Sequence, residues 1–226
     1  MKRLAKTAIA ASVAAMIAAP AAAEMELSLY LGVQSVQDST ASGTVPGAGA
    51  VSQSVDWEGK PLENPFYYGA RATWWTANNL GFSVELTHAK AYADAASQAA
   101  LGLNRLELSD GHNIITANVM KRWPGAFPKT PKFTPYVGAG LGFAMPHVDA
   151  QPTAGGAVRT FGYEVTGPAA RGIAGLKYDL NQDWALFGEY QVTWSDNDLT
   201  IDGTPAGKLS TEIVTHAVNF GVSYSF

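Results

Sequence analysis

Thr215-His216-Ala217-Val218-Asn219-Phe220-Gly221-Val222-Ser223-Tyr224-Ser225-Phe226 closes the chain. In an extended backbone, neighbouring side chains point to opposite faces. His216, Val218, Phe220, Val222, Tyr224 and Phe226 therefore share one face. Thr215, Ala217, Asn219, Gly221 and Ser223 share the other. Alternation sustained over roughly ten residues is the signature of a strand that crosses a membrane as part of a barrel. The apolar face meets lipid, and the small or polar face turns inward.

The same pattern recurs upstream. Leu27, Leu29, Leu31 and Val33 alternate with Ser28, Tyr30, Gly32 and Gln34. Phe82, Val84 and Leu86 alternate with Ser83, Glu85 and Thr87. Val137, Leu141 and Phe143 alternate with Gly138, Gly140 and Gly142. Eight strands are expected, near 26–35, 66–76, 79–89, 111–122, 133–146, 164–179, 184–195 and 212–226. Residues 77–78, 123–132 and 180–183 make short connections. Residues 36–65, 90–110, 147–163 and 196–211 make long ones. Short inner turns and long outer loops fit a bacterial outer-membrane barrel. An open edge in lipid would leave backbone groups unpaired, so the sheet must close. The expected fold is all-β, an eight-stranded antiparallel transmembrane β-barrel.

Aromatic residues mark the two boundaries: Trp74, Trp123, Tyr178, Trp184, Tyr224 and Phe226 inside, Tyr67, Tyr68, Phe143 and Trp194 outside. The last three residues resemble the aromatic C-terminal signature of outer-membrane barrels, and Phe226 is then what the barrel-assembly machinery reads. A soluble barrel with an apolar lumen obeys the same alternation. Phe226, the aromatic positions and the unequal loops favour the membrane form.

Lys2, Arg3 and Lys6 precede an apolar run from Ala8 to Ala19 and then Pro20-Ala21-Ala22-Ala23. This reads as a secretory signal peptide over 1–23, cleaved before Glu24. The remainder, 24–226, is one barrel domain in the cell outer membrane. The chain has 15 Lys+Arg and 19 Asp+Glu; without the three basic residues of the signal, 12 remain against 19, a net −7. An acidic chain without a basic run is no nucleic-acid binder. The absence of cysteine excludes thiol catalysis and cysteine-ligated metals. A monomer is expected.

Eight strands leave a lumen that side chains just fill, so a conducting pore is not expected. Arg71, Glu85, Arg171 and Glu189 have inward parity, as does Lys177. They read as an internal ion-pair network, with Arg171 beside Glu189. Gly138, Gly140 and Gly142 would leave room for large neighbours such as Arg171. Function then falls to the outer rim.

The four histidines point there as well. His88 ends the third strand, His112 begins the fourth, His147 ends the fifth and His216 begins the eighth. Threading the strands up and down puts all four at the external end. By parity His88, His147 and His216 face lipid, and His112 faces inward. A bulge at Gly111 or Pro146 would change that for His112 or His147. Interfacial polar residues are the plain reading of each one singly. Asp110-Gly111-His112 and His147-Val148-Asp149 each put a carboxylate and an imidazole on one face of a strand. Such a pair with a distant histidine is the ligand set of a two-His-one-carboxylate metal site. The candidate catalytic residues are His88, His147, Asp149 and Asp110, and the candidate metal ligands are His88, His147 and His216. No glycine-rich dinucleotide fingerprint follows a strand.

Several stretches resemble the rhizobial lipid A oxidase family. They are Phe82-Ser83-Val84-Glu85-Leu86-Thr87-His88-Ala89-Lys90, Asp110-Gly111-His112-Asn113-Ile114-Ile115-Thr116-Ala117-Asn118-Val119 and Met145-Pro146-His147-Val148-Asp149. Thr166-Gly167-Pro168-Ala169-Ala170-Arg171, Trp184-Ala185-Leu186-Phe187-Gly188-Glu189-Tyr190 and Trp57-Glu58-Gly59-Lys60 add to the likeness. It implies an outer-membrane enzyme that uses oxygen to convert the proximal glucosamine of lipid A into 2-aminogluconate. Side chains do not accept electrons, so the resemblance also implies a divalent or redox metal or another cofactor. Two other readings compete. One is a non-catalytic OmpA-like barrel with a structural or surface-interaction role. The other is a lipid A hydrolase with His88 as general base.

Overall fold

The computed structural model describes residues 24–154 and 156–226; the expected signal peptide over 1–23 lies outside them. In chain order the elements are β1 (Glu24–Val36), β2 (Ser39–Val45), β3 (Gly49–Val55), β4 (Trp57–Glu58), β5 (Tyr68–Trp75), β6 (Leu80–Ala93) and α1 (Ala95–Leu101). Then follow β7 (Leu103–Arg122), β8 (Phe133–Pro152), β9 (Thr160–Tyr163), β10 (Gly167–Asp179), β11 (Trp184–Ile201) and β12 (Gly207–Ser225). Eight of these close a ring in the order β1-β5-β6-β7-β8-β10-β11-β12, with β12 returning to β1. Every pairing in the ring is antiparallel. The register is staggered: Ile213 leads through Ser195, Ala169, Gly142, Thr116, Glu85, Arg71 and Ser28 back to Ser223, ten residues from its start. That shear is what tilted strands need to close a small barrel.

On the long strands β11 and β12 the two faces exchange polarity partway up. On β11 the inward residues run Glu189, Gln191, Thr193, Ser195 and Asn197, then change to Leu199 and Ile201. The outward residues run Leu186, Tyr190, Val192 and Trp194, then change to Asp196, Asp198 and Thr200. On β12 the outward change falls between Val214 and Glu212. Below the change the barrel is apolar outside, as lipid requires. Above it the barrel is apolar inside, as water requires.

The upper part is a capped domain. The β2–β3 hairpin extends the sheet from β12, β4 pairs with β6 and β9 with β8. Helix α1 is capped by Asp94, which accepts from the Ser97 amide at 2.8 Å, and ends at Gly102 in the left-handed region. Val55, Trp57, Leu101, Leu106, Leu108, Leu199, Ile201 and Ile213 form a dry core under this cap. Much of the chain expected to be loop at 36–65, 90–110, 147–163 and 196–211 is therefore strand. The exchange of faces resets the alternation and hides the continuation.

Beneath the cap, charge fills the lumen. Arg71 holds Glu85 through Nε (2.9 Å) and Nη2 (3.1 Å), and Glu189 through Nη1 (3.0 Å) and Nη2 (2.7 Å). Tyr30 donates to Glu85 at 2.6 Å, Tyr136 donates to Glu189 at 2.7 Å, and Gln191 donates to both carboxylates at 2.7 Å. Arg171 does not pair with Glu189 as expected. Its neighbour on β11 is Thr193, while Glu189 lies opposite Gly175. Arg171 instead reaches across the lumen to Glu85, at 3.1 Å. Lys177 stands apart from the network and pairs with Glu26 at 2.9 Å, near the inner end. Gly140 is opposite Arg171, but the space beside Gly138 and Gly140 is taken by Met120 and Asn118 of β7. Tyr67, expected in the outer girdle, turns into the lumen and is buried. A cavity of about 10 Å³ remains below the network, between Arg71, Trp75, Tyr136 and Phe187. That is room for one water at most.

Candidate functional site

The outer rim is shaped by a break in β7. Between its partners on β6 and β8 the register slips around residues 109–111, and Gly111 takes φ +117°. A bulge of this kind re-aims the residues beside it. A Cβ at Gly111 would come within 2.6 Å of the His88 ring and 2.7 Å of Asn113 Oδ1. The turn therefore requires glycine for its conformation and for the close approach of His88.

His88 has outward parity with Phe82, Val84 and Leu86, yet is buried. Tyr68 stacks on it at 4.9 Å from β5, and Asn113 Oδ1 lies 3.0 Å from its Nδ1 on β7. Its Nε2 is buried without a hydrogen-bond partner among the described residues. Across the bulge, His147 also faces outward. Phe161 and Tyr163 of the β9 strand pack edge-on against it at 4.4 and 4.8 Å. Asp110 Oδ2 stands 3.6 Å from its Nδ1. The bulge thus separates two histidines, one stacked on Tyr68 and the other packed against Phe161 and Tyr163, with Asp110 and Asn113 between them in sequence.

The two His–Asp pairs do not form as the spacing suggested. The bulge turns Asp110 outward while His112 stays inward, buried, with its Nε2 3.2 Å from Ser195 Oγ. Asp149 shares the outward face of His147 but is occupied elsewhere. Arg159 Nε donates to it at 2.6 Å and Arg105 Nη1 at 3.3 Å. His216 lies on β12, separated from β6 by β1 and β5, where it contacts Tyr190 and, at 2.6 Å, Gln37. Among the described residues no three His, Asp or Glu side chains converge as a metal site requires. The set His88, His147 and His216 is not brought together, and a resident metal does not fit these donors.

Sequence reasoning passed over Lys90, Arg105 and Arg159. Lys90 continues the outward face of β6 and is fully buried under the first loop; its Nζ donates to the Glu63 carbonyl at 2.7 Å. The signal available was parity: Lys90 is the next outward residue after His88. In the same loop Lys60 lies 3.2 Å from Glu58 and over the Tyr92 ring at 4.6 Å. The Glu58 carboxylate raises the Lys60 pKa above its usual value.

Comparison with known proteins places the chain among outer-membrane barrels. The family model described as the outer membrane protein beta-barrel domain matches residues 8–226. Outer membrane protein AlkL, solved by solid-state NMR in DMPC bilayers, is 17% identical; the match covers 90% of this chain and 90% of AlkL, with a TM-score of 0.55. OprG of Pseudomonas aeruginosa is 13% identical over 91% of this chain and 96% of its own, also with a TM-score of 0.55. At these identities the likeness concerns the fold. No curated protein matches the chain significantly.

Proposed function

This chain belongs to the outer membrane protein beta-barrel family, and on that premise we propose that it is a non-conducting barrel whose work is done at its outer rim. There it engages the headgroup of lipid A in the surrounding leaflet. The observation that carries this reading is the β7 bulge with its two outward, aromatic-lined histidines. They sit where the outer wall changes from apolar to polar, which is headgroup depth. An aromatic ring with a polar edge suits that boundary. The filled lumen argues against passage of solutes. The role is one of binding and surface interaction, as a monomer assembled through recognition of Phe226.

A second reading keeps the same site and adds chemistry. The resemblance to lipid A oxidases implies oxidation of the proximal glucosamine to 2-aminogluconate by oxygen. His88 supports it as a base: with Asn113 Oδ1 accepting from Nδ1–H, Nε2 is left as the acceptor for a sugar hydroxyl proton. The scattered histidines weigh against it, because no described set of residues holds a metal to take the electrons. No catalytic step through a metal is therefore derived.

The mass of lipid A from cells with and without the gene separates the two. A gain of one oxygen establishes the oxidase. Loss of an acyl chain would instead establish a hydrolase. Unchanged mass, together with lipid A retained by the purified barrel, establishes the binding role.

A further inference from the structure

The outer face of β6 carries a lysine that is buried with a single carbonyl as its hydrogen-bond partner. Lys90 is entirely buried although its parity points it away from the lumen. Residues 60–66 of the first loop pass beside it, ahead of Tyr67, which turns into the lumen. Nζ meets one backbone carbonyl, that of Glu63 at 2.7 Å, with the Tyr92 ring 5.7 Å away. It makes no ion pair with a carboxylate among the described residues. Taking an ammonium out of water without an opposite charge is costly, and proteins ordinarily pair or hydrate it. Two residues along the same face, roughly 7 Å away at strand spacing, lies His88, whose buried Nε2 also lacks a partner. A cation held by one carbonyl and no carboxylate, and a ring nitrogen with no partner, thus lie on the same outer face.

The covering segment has its own character. Leu62 is 76% exposed and Phe66 is 50% exposed, on either side of Glu63. Large apolar residues on a loop beside the lipid belt suit the interface rather than open water. Gln34 Nε2 fastens the segment's start, donating to Gly59 O at 3.2 Å and to Lys90 O at 2.7 Å. Between that fastening and Tyr67, anchored in the lumen, the only side-chain hydrogen bond from the barrel to the segment, among the described residues, is that of Lys90.

We propose that Lys90 and His88 form a headgroup subsite for a phosphorylated sugar lipid, covered by residues 60–66 until the lipid displaces them. Phosphate neutralises the Lys90 ammonium, and a sugar hydroxyl donates to His88 Nε2. Leu62 and Phe66 hold the displaced segment against the acyl region. The proposal rests on the rim reading above and supplies its ligand class: an anionic, hydroxyl-bearing lipid headgroup.

The test is retention of lipid by the full mature barrel in detergent, read by native mass spectrometry. The probes are phosphorylated lipid A, the same lipid with its phosphates removed, and phosphatidylglycerol. The wild type is expected to retain phosphorylated lipid A most strongly. Lys90→Met should weaken that retention about tenfold or more, the effect of losing one charge-assisted contact, and leave the dephosphorylated lipid unchanged. His88→Gln should weaken both forms of lipid A. Lys90→Gln serves as the second variant, and the heat-dependent gel shift confirms folding in each. Wild-type retention of phosphorylated lipid A by folded Lys90→Met and Lys90→Gln overturns the subsite while the rim reading stands. A wild type that does not prefer lipid A to phosphatidylglycerol overturns both.

Discussion

Arg71 and Glu189 meet across the lumen through two parallel contacts, Nη1–Oε2 at 3.0 Å and Nη2–Oε1 at 2.7 Å, although β1 and β12 separate their strands in the ring. The same guanidinium holds Glu85 through two more. Removing one side of a buried pair typically costs about 3–5 kcal/mol, because the other charge is left behind. Arg71→Met should therefore lower the unfolding free energy, obtained from urea titration, by that order. Combining it with Glu189→Gln should cost less than the two single losses together, since the residues share one network. Additive losses would show that the contact is not energetically coupled.

The second expectation concerns conduction. Tyr30, Arg71, Glu85, Tyr136, Arg171 and Glu189 are all buried in the lumen, and the dry core of the cap lies above them. Purified barrel in a planar bilayer should give no steady single-channel current. Reproducible openings at low voltage would contradict a filled lumen.

A third concerns the cap. Leu106→Ala removes a fully buried side chain from the upper core, and such truncations cost about 2–5 kcal/mol. Proteolysis of intact cells should cut this variant within the external segments faster than the wild type. The heat-dependent gel shift should persist, because the lipid-embedded ring is untouched. Simultaneous loss of both would mean that the cap and the ring unfold as one unit.

How far this was legible from sequence differed by level. The ring of eight strands could be read in the lipid belt, where Leu27, Leu29, Leu31 and Val33 alternate without interruption. The cap could not, because Leu199 and Ile201 carry on the inward face of Glu189 and Gln191. A reader following polarity alone sees the pattern end at Asp196. Outward parity placed His88, His147 and His216 on the wall, and inward parity placed His112 in the lumen. Parity says nothing about what covers a residue, so Lys90 and the aromatic setting of His147 were hidden. Nor does it give partners across a lumen, which is why Arg171 was matched to its sequence-near Glu189 and not to Glu85.

The bulge gives a fourth expectation. Gly111→Val combines a positive φ that branched residues resist with a collision against the His88 ring. His88 should lose its contact with Asn113. Imidazole nitrogen shifts in a ¹⁵N-histidine sample should move for His88 and stay put for His216, which lies on β12. Unmoved His88 signals in a folded variant would mean that the bulge does not set this histidine.

The proposed engagement of lipid A by the rim is tested most directly by competition between lipid A and phosphatidylglycerol for the purified wild-type barrel in mixed micelles. The expected result is preferential retention of lipid A, diminished in His88→Gln and His147→Ala while both remain heat-modifiable barrels. Equal retention of the two lipids by the wild type, unchanged in both variants, would contradict the account.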